Sequence, residues 1–147
     1  MNRLKILAAA LLTLTAVPDA RASQNRRAHY DKPQVRVLGT FTNRFKMVNK
    51  YILVAKGLSE AELVKMASSL HQAEPEVNFW LLDNASKSEQ MLKWVKAYEA
   101  GKATAFDPVF EWIGDHTVAN LQQWGLGSGK HWVLSKGIGM DKIADIE

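Results

Sequence analysis

The chain has 147 residues, enough for one compact domain, and it contains no cysteine. Thiol nucleophiles, cysteine-held zinc, iron–sulfur clusters and disulfide staples are thereby excluded, and the fold must rest on apolar packing. The formal net charge of +4 comes with no dense Lys/Arg run and no nucleic-acid-binding motif, so no nucleic-acid partner is expected.

Residues 1–22 read as a secretory signal peptide. Arg3 and Lys5 precede an uncharged apolar run from Ile6 to Ala16, Pro18 breaks it, and Ala20-Arg21-Ala22 supplies the small-x-small pattern of a cleavage site. The run falls well short of the roughly 18 to 20 apolar residues that span a bilayer. The expectation is an exported protein, periplasmic or extracellular, cut after Ala22 and without a transmembrane segment thereafter. Cleavage would leave 125 residues. Of these, 23–33 lack apolar periodicity and read as a mobile basic leader, and 34–147 read as a single α/β domain.

Charge is unevenly spread. Residues 23–57 hold eight Lys and Arg against Asp31 alone, whereas 58–147 hold eight basic and thirteen acidic groups. Arg26, Arg27, Arg36 and Arg44 therefore suggest contact with an anionic surface; packing against the protein's own acidic remainder accounts for them equally well.

Gln34–Phe41 alternates weakly, as an edge strand does, and Lys50–Lys56 is a continuous apolar run that suits a strand buried on both faces. Ser59-Glu60-Ala61-Glu62 is a capping box, with Leu58 and Leu63 at the positions of a hydrophobic staple. Leu63, Met66, Ala67 and Leu70 then fall on one helical face, and Pro75 stops the helix. Val77–Leu82 reads as a second buried strand, parallel to the first in a βαβ unit. Ser86-Lys87-Ser88-Glu89 has the pattern of a second capping box, followed by a stripe of Met91, Trp94, Val95 and Tyr98 and a stop at Gly101. Asp107-Pro108 opens a short helical piece through Trp112. Thr117–Trp124 and His131–Lys136 read as a hairpin around Gly125-Leu-Gly-Ser-Gly129, which lacks the spacing of a phosphate loop. Met140, Ile143 and Ala144 suggest a last helical turn. The expected architecture is a two-layer α/β sandwich with a mixed sheet of four or five strands, a βαβ unit and a C-terminal hairpin.

Chemistry is sparsely signalled. His116 and His131 would converge if the hairpin closed suitably, and with Glu111 or Asp115 would form an acid/base cluster for a small hydrolase or a metal-assisted enzyme. Two hairpin histidines at a polar edge explain the same residues without catalysis. No metal set or cofactor motif is present. His71 lies near a helix end, where the dipole favours a cation. Lys56 and Asp83 lie beyond the carboxyl ends of the two parallel strands, where α/β sheets tend to bind ligands. Trp112, Trp124 and Trp132 crowd the C-terminal third, and exposed indoles would make a recognition surface for a protein or envelope component. A loop of four or six residues would instead place Trp124 and Trp132 on opposite faces of the hairpin. The leading expectation is a non-catalytic exported binding or accessory domain acting through those tryptophans.

Overall fold

The computed structural model describes residues 35–125 and 127–147. The segments expected to be a signal peptide and a leader, with Arg26 and Arg27, lie outside the described residues. Six strands form one mixed sheet in sequential order: β1 (Arg36–Thr42), β2 (Val48–Leu53), β3 (Val77–Leu82), β4 (Thr117–Trp124), β5 (His131–Lys136) and β6 (Lys142–Ile146). Only β2 and β3 are parallel, joined through α1 (Glu60–Ala73); every other neighbouring pair is antiparallel. Helices α2 (Ser88–Glu99) and α3 (Pro108–His116) connect β3 to β4.

The class is the expected one, with more strands than expected. The additional strand is β6, where a helical turn was expected. Lys136 N–H donates to the Asp141 carbonyl at 2.8 Å, closing a tight turn that returns the chain along β5. Ala144 then pairs with Leu134 and Ile146 with Trp132. Three apolar residues are too few to distinguish a period of 3.6 from a period of 2, so the edge of the sheet decides.

The helices divide between the two faces of the sheet, giving three layers instead of two. Leu63, Ala67 and Leu70 of α1 bury against Ile52, Phe79, Leu81, Leu121 and Leu134. On the opposite face Met91, Trp112 and Ile113 of α2 and α3 bury with Tyr51 and Leu82. Central strands that are apolar on both sides require cover on both sides.

Local signals behaved unequally. The α1 capping box is formed: the Glu62 amide donates to Ser59 Oγ at 3.3 Å, and the Ser59 amide donates to Glu62 Oε2 at 2.8 Å. The second box is not formed. α2 starts at Ser88 with Lys87 as N-cap and no side-chain cap bond. Asn84 takes over the local turn, its Oδ1 accepting the Ser86 amide at 2.8 Å. An Asx turn one step upstream displaces the serine from the capping position. Asp107 does cap α3, accepting the Val109 amide at 2.9 Å, but α3 runs on to His116, past the expected end at Trp112.

A candidate ligand cavity on the α2–α3 face

The α1 face of the sheet is closed by buried apolar side chains, Phe79 and Trp132 among them. The other face is not. Alternation along β2, β3 and β4 points Asn49, Tyr51, Asn78, Trp80, Asn120 and Gln122 toward α2 and α3, leaving polar and aromatic groups where a core would need aliphatic ones. Register aligns them in rows. Asn49 lies beside Asn78, and Tyr51 beside Trp80, which in turn lies beside Asn120. Between this floor and the two helices remains a cavity of about 340 Å³, at the lower end of the range for small-molecule sites.

The floor of the cavity is rigid. Asn49 Oδ1 accepts Asn78 Nδ2 at 3.3 Å and Trp80 Nε1 at 3.2 Å, while Asn49 Nδ2 donates to the Met47 carbonyl at 3.2 Å. Asn78 Oδ1 accepts the Gln123 amide at 3.3 Å. Tyr51 and Trp80 stack with ring centroids 6.1 Å apart. The helical wall is also aromatic: Trp94 lies 4.9 Å from Tyr98 and 5.3 Å from Phe110, ring centre to ring centre, and its Nε1 donates to the Thr104 carbonyl at 3.3 Å. Phe41 of β1 and Ile138 of the β5–β6 turn complete the apolar lining. Glu99, at the end of α2, is the one charged side chain that the described residues bring to the cavity, and its Oε2 accepts the Arg44 amide at 3.4 Å. Burial holds the Tyr51 phenol well above its ordinary range, and the charge of Glu99 pushes it the same way.

The residues anticipated as a site are scattered. His116 ends α3 and His131 opens β5 opposite Trp124, so the length of β4 separates them, roughly 25 Å of strand. They do not converge. His116 Nδ1 instead lies 2.9 Å from Asp83 Oδ1, with Nε2 3.4 Å from Asn84 Nδ2. Glu111 and Asp115 are exposed on α3, and His131 Nε2 lies 4.0 Å from Asp145. Asp83 is thus engaged by His116, while Lys56 is exposed in the loop after β2. Among the described residues, no group of three or more His, Cys, Asp or Glu is placed to hold a metal ion.

Nor do the three tryptophans share a surface. Trp112 is buried with α2, and Trp132 is buried on the α1 face. Trp124 pairs with His131, so the connecting loop is residues 125–130, and this six-residue span turns Trp124 and Trp132 to opposite faces. Trp132 packs on His71 at 4.8 Å between ring centroids. Burial lowers the His71 pKa, so the imidazole favours its neutral form despite lying in the last turn of α1, against the dipole expectation.

Two tryptophans line the cavity: Trp80 from a run that the sequence predicts as a buried strand, and Trp94 from the apolar stripe of α2. The signal that marks the floor is the recurrence of a polar residue two positions from an aromatic or amide: Asn49-x-Tyr51, Asn78-x-Trp80 and Asn120-x-Gln122. It becomes a pattern only when the three strands are aligned side by side. Among the described residues, no helix is long and apolar enough to cross a membrane. Comparison with known proteins finds no matching family model, no matching curated sequence and no matching solved structure.

Proposed function

We propose that this chain is an exported, non-catalytic binding domain whose ligand occupies the cavity between the β2–β4 floor and the α2–α3 wall. One observation carries the reading: a cavity of about 340 Å³ with aromatic walls and a hydrogen-bonded amide floor, on the sheet face opposite the buried apolar cluster under α1. Aromatic lining supplies contact area, and a few fixed polar groups supply orientation, as small-molecule sites require. The expected ligand is a small organic molecule from the cell envelope or its surroundings, in place of a protein seated on the C-terminal tryptophans. Export rests on the pattern of residues 1–22, and N-terminal sequencing of the secreted protein should begin at Ser23.

Ligand-observed NMR on a mixture of small organic fragments tests the site, with Gln122→Trp as the blocked variant. Gln122 lines the cavity from β4, so an indole there fills it. Fragments that bind the native protein and are lost from a folded Gln122→Trp variant support the reading. Equal binding to both proteins, or none to either, overturns it.

A further inference from the structure

We infer that the cavity takes a methylated ammonium group, an organic cation whose positive charge is spread over N-methyl groups. This deepens the ligand-cavity reading and rests on it.

The charge balance of the lining gives the sign. Among the described residues, Glu99 is the single charged side chain of the lining, and no Lys, Arg or His accompanies it. Arg44 meets Glu99 through its backbone amide and lays its guanidinium 4.9 Å from the Phe45 ring centre. Among the described residues, the lining therefore places one carboxylate next to aromatic side chains. Both attract a cation, the carboxylate through its charge and the rings through their quadrupoles.

The hydrogen-bond inventory gives the type of cation. A primary ammonium or a hydrated metal ion needs several free oxygen acceptors. Each of the three asparagine carbonyls of the lining already accepts one or two hydrogen bonds, leaving few side-chain oxygens, chiefly those of Gln122 and Glu99, for such an ion. Asn43 Oδ1 accepts the Phe45 and Met47 amides, each at 3.0 Å, Asn49 Oδ1 accepts Asn78 and Trp80, and Asn78 Oδ1 accepts the Gln123 amide. A methylated ammonium donates few or no hydrogen bonds and is satisfied by ring faces. Tyr51 and Trp80 on the floor and Trp94, Tyr98 and Phe110 on the wall provide them. Its methyl groups also cover apolar surface that a bare ion would leave wet.

Tryptophan fluorescence and calorimetry at low salt test the inference, with choline as the probe. 3,3-Dimethylbutan-1-ol serves as its neutral isostere and potassium chloride as the bare-ion control. Choline should bind at least about tenfold more tightly than the isostere, and potassium should give no saturable signal. In Glu99→Gln the choline affinity should fall by about tenfold while the isostere is unaffected. The comparison of choline with its isostere on the native protein needs no variant, so a poorly folded Glu99→Gln leaves the test intact. Isostere binding as tight as choline binding overturns the cation assignment and leaves the cavity reading standing. Absence of binding by both, together with failure of the fragment screen, overturns both.

Discussion

Gly39 sits in β1 just after the register shift between Val37 and Gly39, with its backbone facing α2. A Cβ placed there would lie 2.2 Å from Leu92 Cδ1, 2.7 Å from Cδ2 and 2.9 Å from Cγ. All three contacts are far inside van der Waals separation, and all three belong to one half-buried side chain. Gly39→Ala therefore forces Leu92 to rotate or α2 to lift from β1. Overpacking of this kind costs about 1–3 kcal/mol, offset by about 0.4–1 kcal/mol because alanine restricts the unfolded chain. The net loss should be about 1–2 kcal/mol. A urea midpoint should then fall by about 0.5–1 M, given slopes of about 1–3 kcal/mol/M for small proteins. Leu92→Ala alone should cost about 1–3 kcal/mol, less than a fully buried leucine. In the double variant the new methyl enters the space that Leu92 vacates. The two losses should then sum to about 1 kcal/mol or more beyond the measured double loss, a coupling well above the scatter for independent sites. Additive losses would refute the proposed contact between β1 and α2.

The two candidate caps should separate cleanly: Ser59→Ala should cost about 1 kcal/mol in chemical denaturation, while Ser86→Ala, which makes no cap bond to α2, should be close to neutral. Trp132→Ala should cost about 3–5 kcal/mol as a core truncation, with Trp124→Ala costing clearly less; equal losses would contradict the opposite-face register. His71 should make stability depend on pH. Its folded-state pKa lies below the ordinary value of 6.5, so the unfolded chain takes up the proton first. Stability from this group is then complete above that value and is lost as pH falls below it. Urea midpoints at about pH 7.5 and about pH 5.5 should differ more for the native protein than for His71→Leu, and an identical difference would remove His71 as the cause.

Short-range information was legible directly in the residues. The Ser59–Glu62 box, the Leu63, Ala67 and Leu70 stripe and the Pro75 stop lie within about four turns of one helix, so their geometry follows from helical spacing alone. The apolar runs within β2 and β3 could be recognised without a partner, although β2 spans Val48–Leu53 and not the expected Lys50–Lys56, and each strand carries an asparagine toward α2 and α3. Even at short range, competing local bonds blurred the reading: Asn84 captured the Ser86 amide, and a pattern that looked like a cap did not become one. β6 was hidden because a strand is defined by its neighbour, and Leu134 and Trp132 lie across a turn from it.

The candidate site was the least legible part. Asn49, Asn78 and Gln122 lie on three strands, and Trp94, Tyr98 and Glu99 lie on a helix packed above them. No window along the chain contains that set. Sequence determined which residues alternate within each strand. Only strand order and register placed the amides beside the aromatics, and only the packing of α2 and α3 over that face left space above them. A pair such as His116 and Asp83 makes the same point: 33 positions apart in the chain, they come within 2.9 Å because α3 ends beside the carboxyl end of β3. Local propensity sets what each segment forms. The burial of two unlike faces of one sheet decides where side chains meet, because that burial involves every strand at once.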